Sequence, residues 1–156
     1  MAGRYAQGTT VSSELSRIEI EKTLLRYGAT GFAYAMTSTA AMICFTMQKR
    51  RVRFILPLPQ REEFSLTPTG KRRVENSQTE AWEQACRQRW RALNLVVKAK
   101  LEAVESGISC FEQEFMANIV LPNNTLVGDF MIPQIRTAYA TGNMPPMLPG
   151  VLMEAE

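Results

Sequence analysis

The helical apolar pattern of residues 77–105 constrains the fold of this chain more than any other feature. Large apolar side chains recur there at spacings of four and three, which places them in one stripe. The stripe consists of Trp82, Cys86, Trp90, Leu93, Val97, Leu101 and Val104. Ser77 and Glu80 have the spacing of a capping box, and Gly107 is placed to end the helix. A helix with so wide an apolar surface is expected to pack across a sheet.

Three runs rich in β-forming residues precede this helix, at residues 31–37, 41–48 and 51–58. The links between them, STA and KR, are short and polar, which predicts an antiparallel meander. Pro57 and Pro59 are expected to end the third strand, because proline has no N–H to donate to a β-ladder.

Residues 12–28 predict a first helix, with Ser16 and Glu19 in capping-box spacing and Gly28 as a stop. Its inward side chains are predicted to be Leu15, Ile18 and Leu25. Residues 57–80 are polar and rich in turn formers, so we expect a long exposed loop between the third strand and the long helix.

After the long helix, residues 110–122 and 125–142 predict two short helices, the second disturbed by Pro133. Residues 141–156 form a tail rich in Pro and Met, and residues 1–11 are expected to be a flexible N-terminus. The predicted fold is therefore α+β, in a single domain over residues 12–140. Its order is an N-terminal helix, a three-stranded antiparallel meander, a long amphipathic helix on the sheet and short C-terminal helices.

The chain has no histidine and a single aspartate, Asp129. Without histidine there is no Ser-His or Cys-His nucleophile pair and no HExxH zinc site. The carboxylate pairs Glu62-Glu63 and Glu112, Glu114 fit solvated surface charge better than metal ligands. We therefore expect a protein without enzymatic activity, cofactor or bound metal.

The three cysteines are odd in number and far apart, at Cys44, Cys86 and Cys110, which favours reduced thiols in a cytoplasmic protein. Residues 28–48 are uncharged over roughly the length of a membrane span, but their alternation and four threonines favour strands. No membrane association is expected, and the start of the chain lacks the apolar core of a secretory signal.

Charge is distributed unevenly along the chain, whose formal net charge is +3. Residues 1–100 hold 17 Lys and Arg against 8 Asp and Glu, a balance of +9, whereas residues 101–156 hold 1 against 7, a balance of −6. Three clusters, on a turn, a loop and the long helix, hold the candidate nucleic-acid-binding residues. These are Lys49, Arg50, Arg51 and Arg53, then Lys71, Arg72 and Arg73, and finally Arg87, Arg91 and Lys98.

The period of two in the third strand sends Arg51 and Arg53 to one face and the apolar residues of the strand to the other. Arginines at that spacing on an open sheet face can bridge successive phosphates. A strand aromatic such as Tyr34 on the same face would add a stacking platform for bases. On the long helix, Asn94 is predicted to join the three cations of that cluster in one basic ridge.

Other interpretations of these cations remain open. A basic turn can keep a sheet edge from pairing with other chains, and a surface cluster of Lys and Arg is often only a solvated face. The basic face can also dock on an acidic protein, as in an interaction module or an inhibitor of a host factor. A structural role in a virion and an enzyme of unfamiliar type are weaker alternatives.

The stretches RYGATGFAY, RRVRFILPLP, WEQACRQRWRALNLVVKAKLEAVESGI and FEQEFMANIVLP resemble a family of small bacteriophage and prophage proteins, over most of residues 12–140. That resemblance implies no activity. The order of helix, β-meander and long helix is also similar in outline to the Rad52-like single-strand annealing proteins of phages. This second resemblance implies a basic groove between hairpin and long helix that carries single-stranded DNA on an oligomeric ring. It assigns the groove to Arg51, Arg53, Arg87, Arg91 and Lys98.

The sequence therefore leads to the hypothesis of a self-associating cytoplasmic phage protein that binds single-stranded DNA through backbone charge. The acidic C-terminal region would then be free to contact another copy or a host or phage replication protein.

Overall fold

The computed structural model describes residue 6 and residues 8–144 of the chain. Most of the N-terminal segment that we expected to be flexible, residues 1–5 and 7, lies outside the described residues, as does the Pro- and Met-rich tail from residue 145 onward. The described helices and strands are α1 (Ser13–Arg26), β1 (Gly31–Met36), β2 (Ala40–Met47), β3 (Arg50–Pro57), α2 (Glu75–Glu105), α3 (Phe111–Phe115) and α4 (Val127–Thr141). This order confirms the predicted α+β fold.

The three strands form one antiparallel sheet in the order β1-β2-β3. Met47 at the end of β2 pairs with Arg50 at the start of β3, so the link between these strands consists of Gln48 and Lys49 alone. Both link residues have positive φ, 49° and 61° respectively. A two-residue hairpin turn with two positive φ angles matches the twist of the strands, but it strains residues other than Gly, Asn and Asp.

The core lies between one face of the sheet and the helices. Val52 and Phe54 of β3 share a buried cluster with Trp90 and Val97 of α2. The C-terminal part of the chain adds Phe115, whose ring meets that of Phe54 edge-on at 6.3 Å between centroids. This packing confirms the inward position of the middle of the predicted stripe, since Trp90, Leu93, Val97 and Leu101 are all buried.

The predicted inward face of α1 is wrong. Its buried residues are Ser16, Ile20, Thr23 and Leu24. Leu15, Ile18 and Leu25 are instead 59%, 37% and 51% exposed. The predicted capping box also does not form, because Ser12 is the N-cap and its hydroxyl accepts a hydrogen bond from the Leu15 N–H at 3.1 Å.

The segment between β3 and α2 is shorter and more structured than the expected loop. It contains a 3₁₀ turn at Arg61–Phe64 and an isolated bridge between Leu66 and Arg72. Helix α2 begins at Glu75, two residues before the predicted cap at Ser77. The Gln78 side chain donates to the Arg61 carbonyl at 2.9 Å, which ties the first turn of α2 to the 3₁₀ turn.

After α2, the helix predicted over residues 110–122 is shorter than expected, because α3 is followed by a 3₁₀ turn at Met116–Asn118. Helix α3 ends at Phe115, and Ile119 forms a bridge with Val52 at the outer edge of β3. The Val120 N–H donates to the Arg51 carbonyl at 2.8 Å. The second predicted helix is present as α4, which holds Pro133 inside it. Among the described residues, no helix is long and apolar enough to cross a membrane.

Candidate nucleic-acid interface

The turn between β2 and β3 presents three cations, Lys49, Arg50 and Arg51, which we call the basic turn. All three residues are exposed. None of them forms an ion pair with a carboxylate in the described part of the chain. Their charges are therefore available to a ligand.

Arg53 extends the basic turn along β3. Its guanidinium donates to the side-chain oxygen of Asn124 at 2.7 Å and to the Asn124 carbonyl at 3.3 Å. Asn124 has a φ of 67° in the turn before α4. The C-terminal part of the chain thus fixes the direction of Arg53, which sequence spacing alone does not show.

The strand alternation predicted for β3 is correct, because Val52 and Phe54 are buried while Arg51 is exposed and Arg53 half-buried. Opposite these arginines in the register lie Thr46 and Cys44 of β2. We call this side of the sheet the open face. A groove of about 340 Å³ runs along it, bordered by both arginines and by Val120.

The three cations of the basic ridge predicted on α2 have partners within the protein. Arg91 donates to the Glu19 carboxylate of α1 at 2.7 Å, and Lys98 contacts the other oxygen of the same carboxylate. Asn94 lies between them in sequence and is fully buried. Its amide and the Ser16 hydroxyl are buried without a hydrogen-bond partner among the described residues. The ridge thus packs against α1.

Glu19 is held in its charged form by these contacts. The hydrogen bond from Lys98 lowers the pKa of the carboxyl most, partial burial opposes that shift, and Arg91 adds to the lowering. Arg87, the third cation of the predicted ridge, donates to the Gln84 side chain at 2.7 Å and lies 3.9 Å from the Glu83 carboxylate. Because α2 packs on the core side of the sheet while Arg51 and Arg53 lie on its open face, the helix cations do not share a groove with these two arginines.

The loop cluster also divides. The Arg73 guanidinium donates to the Leu66 carbonyl at 2.6 Å and to the Phe64 carbonyl at 3.3 Å, so it stabilises the loop. Lys71 and Arg72 are exposed and have no acidic partner among the described residues. They form a second, smaller set of available cations.

An aromatic cleft of about 550 Å³, which the sequence analysis missed, lies between the start of α1, the end of β1 and the first half of α2. Its walls include Tyr34, Trp82, Trp90, Arg17 and Arg87. The centroid of the Tyr34 ring lies 5.8 Å from that of Trp90. The Arg17 guanidinium lies over the same Tyr34 ring, 4.8 Å from its centroid. Tyr34 therefore occupies the core side of the sheet, not the open face.

Helix α2 is longer than the strands of the sheet. Its 31 residues span ~46 Å, whereas an eight-residue strand spans ~26 Å. Trp82 and Cys86, which were predicted as core, are only half-buried. Partial burial raises the pKa of the Cys86 thiol, and the nearby Glu83 adds to that shift. The cleft adjoins the β1–β2 link, at the end of the sheet opposite the basic turn.

The described residues contain no group of three or more His, Cys, Asp and Glu side chains placed to hold a metal ion. No protein-family model, no curated protein and no solved structure matches this chain.

Proposed function

We propose that this protein binds single-stranded DNA through the basic turn and Arg53, by contact with the phosphate backbone and without catalysis. The observation that carries the proposal is the cluster of unpaired charge at Lys49, Arg50 and Arg51. Cations without an internal carboxylate partner gain the full free energy of counterion release when they neutralise phosphates.

The composition of the open face supports backbone contact over reading of bases. Ala33, Ala35, Met42, Cys44, Thr46 and Ile55 share this face with the two arginines, as the register shows. The set includes neither a carboxylate to repel phosphates nor an aromatic ring to stack on bases. A single DNA strand in the groove beside Arg51 and Arg53 would therefore be bound through its phosphate charge and its shape.

The backbone of the turn supplies a second argument. Lys49 is held at a φ of 61°, a conformation in which glycine or asparagine is less strained. Local strain of this kind persists at functional sites when the side chain has a role that a better turn former lacks. We take the charge of Lys49 as that role, and the uncharged Gln48, which also has a positive φ, provides the comparison.

The process that we propose is annealing or protection of single strands during recombination, by a self-associating protein in the cytoplasm of a phage-infected cell. Its support is the order of helix, meander and long helix, which resembles that of Rad52-like proteins. The acidic region after residue 100 would contact another replication protein. These steps rest on resemblance and charge, and they are separate from the binding proposal.

Fluorescence anisotropy with a labelled oligonucleotide of about 20 nucleotides, over a salt series, tests the binding. If the four cations of residues 49–53 each neutralise one phosphate, the logarithm of the binding constant should fall with a slope of about −3 against the logarithm of the salt concentration. A duplex of the same sequence is the comparison. A dissociation constant weaker than about 10⁻⁴ M at low salt, without a salt slope, would contradict the proposal.

A protein-interaction module is the second candidate, favoured by the aromatic cleft. Its apolar walls can accept an apolar side chain of a partner, and its polar lining holds two cations, Arg17 and Arg87, and two carboxylates, Glu14 and Glu83. Both tryptophans of the chain line this cleft, so their fluorescence reports its occupation. Pull-down from host lysate after nuclease treatment separates the two functions, because a nucleic-acid binder loses its co-purifying material and an interaction module keeps it.

A further inference from the structure

The two outer edges of the three-stranded sheet differ. The edge of β3 is covered, since Ile119 bridges to Val52 and the Val120 N–H donates to the Arg51 carbonyl. The edge of β1 is open, because β1 is the last strand of the sheet and no other described residue forms a bridge with it. The second half of β1 is exposed, with Met36 at 62%.

The hydrogen bonding of β1 shows which of its backbone groups point outward. The Thr37 N–H donates to the Ala40 carbonyl at 2.8 Å. Hydrogen-bonded pairs alternate along an antiparallel ladder, so Ala33 and Ala35 bond to β2, whereas the residues that alternate with them direct N–H and C=O away from β2. These residues are Phe32, Tyr34 and Met36. Among the described residues, no backbone group hydrogen-bonds to their outward side.

An unpaired strand edge offers a row of hydrogen bonds that another extended strand can use. Proteins commonly block such edges with Lys, Pro or a bulge. Strand β1 has none of these, and residues 28–48 carry no charge at all. On the core side Arg17 lies over the Tyr34 ring and Glu14 lines the same cleft, so that side holds charges of both signs. The strand itself therefore has no charge that would repel a second copy.

This edge is complementary to itself about Tyr34. In an antiparallel pairing of two copies centred there, Tyr34 pairs with Tyr34 and Phe32 with Met36, and each pair can exchange both backbone hydrogen bonds. All the outward backbone groups of β1 are then satisfied. On the open face, Ala33 of one copy lies opposite Ala35 of the other in the closer, non-hydrogen-bonded spacing, which these small side chains fit.

We propose that two copies of this chain pair through the outer edges of β1 and form one continuous, two-fold symmetric sheet. The occupant of the edge is a second copy, because the uncharged strand matches its own reverse at every position from Phe32 to Met36. The pairing gives a surface to the self-association proposed above, and it does not depend on DNA binding, since the basic turn belongs to the β2–β3 hairpin. A contact built on one six-residue strand is small, and we expect a dimer that dissociates in the micromolar range.

Paired charges on the open face test this pairing in the absence of DNA. Sedimentation velocity over roughly 5 to 300 µM should show a concentration-dependent dimer for the wild-type chain. The double variant Ala33→Lys, Ala35→Lys should weaken the dimer at least tenfold, because like charges then lie directly opposite one another at both symmetric contacts. The matched double variant Ala33→Glu, Ala35→Lys places opposite charges there and should keep the dimer. Circular dichroism and thermal unfolding establish that each variant is folded.

A disulfide cross-link tests the register of the pairing. The background carries serine in place of all three native cysteines, which are Cys44, Cys86 and Cys110. An equimolar mixture of Ala33→Cys and Ala35→Cys chains should form a linked dimer under mild oxidation, because the two positions lie opposite each other. Either chain alone should link far less, since copies of the same residue are offset along the strands beyond the ~7 Å that a disulfide can bridge between Cα atoms.

Three results would overturn the proposal. The first is a wild-type chain that stays monomeric, which would leave the edge of β1 to a strand of another protein. The second is a double-lysine variant that dimerises as well as the matched Ala33→Glu, Ala35→Lys variant. The third is a mixture that cross-links no better than either chain alone.

Discussion

The carboxylate of Glu19 on α1 accepts a hydrogen bond from Arg91 on α2 at 2.7 Å, across 72 positions of sequence. Lys98 contacts the same carboxylate. Two cations that looked like ligands for an anion in the sequence therefore hold the two helices together. Their role in the fold can be measured separately from any role in binding.

Replacement Glu19→Gln should lower the free energy of unfolding at pH 7 by about 1 kcal/mol, because it leaves two cations without their counter-charge in a half-exposed contact. The effect should depend on pH. The pKa of Glu19 is lowered from its usual 4.5 in the folded chain, so its stabilisation is complete above that value and is lost as the pH falls through the folded pKa. Urea titrations from pH 7 to pH 3 should show the two proteins converging in acid. An equal gap at all pH values would contradict the ion-pair explanation.

Replacement of Arg50 and Arg51 by Glu should weaken binding of single-stranded DNA at least tenfold at about 0.1 M salt and reduce the salt slope by about 1.4, which is two contacts at ~0.7 each. Thermal stability should change little, because both side chains are exposed and lack acidic partners among the described residues. The control is the double variant Arg89→Glu, Arg136→Glu, which makes the same charge change elsewhere on exposed positions. Equal weakening by both variants would show that net charge alone governs the affinity.

Lys49→Gly should stabilise the protein and weaken DNA binding at the same time. Glycine relieves the positive φ of 61° and should gain about 1 kcal/mol in unfolding, while the loss of one cation should reduce the salt slope by about 0.7. Gln48→Gly is a matched control, since residue 48 also has a positive φ, 49°, but carries no charge. It should gain stability and keep binding. If both variants bind as the wild type does, Lys49 makes no contact with the ligand.

Helix α2 was predictable because its apolar residues fall in one stripe, and burial of Trp90, Leu93, Val97 and Leu101 follows from that pattern. Which face of α1 is buried was not predictable, because its large apolar residues lie around most of the helix. These are Leu15, Ile18, Ile20, Leu24 and Leu25. The choice between its faces depends on α2, which can bury small polar residues such as Ser16 and Thr23 beside Ile20 and Leu24.

The candidate site likewise has parts that depend on contacts between elements distant in sequence. The basic turn is local, so sequence alone located it. Arg91 and Lys98 pair with Glu19, more than seventy residues away in sequence, and the aromatic cleft is built jointly by α1, β1 and α2. Neither arrangement is encoded in the spacing of residues along one element.

Gly128→Ala should destabilise the protein, although Ala is the better helix former of the two residues. A Cβ at residue 128 would lie 2.9 Å from the Ala117 carbonyl oxygen and 3.3 Å from the Ala117 Cβ, so α4 has to move away from Met116–Asn118. Such overpacking costs about 1 to 3 kcal/mol. Since Asn124, the partner of Arg53, lies between these two segments, the variant should also weaken DNA binding modestly.

Gly31→Ala is the control for this last prediction, because the nearest atom to a Cβ there is the Thr46 hydroxyl at 3.9 Å and its φ is not positive. Thermal unfolding of both variants decides between propensity and packing. A loss for Gly128→Ala with little change for Gly31→Ala supports close contact of α4 with the Ala117 backbone. A gain for Gly128→Ala would mean that α4 is free to shift, and the position of Asn124 under Arg53 would then not depend on that contact.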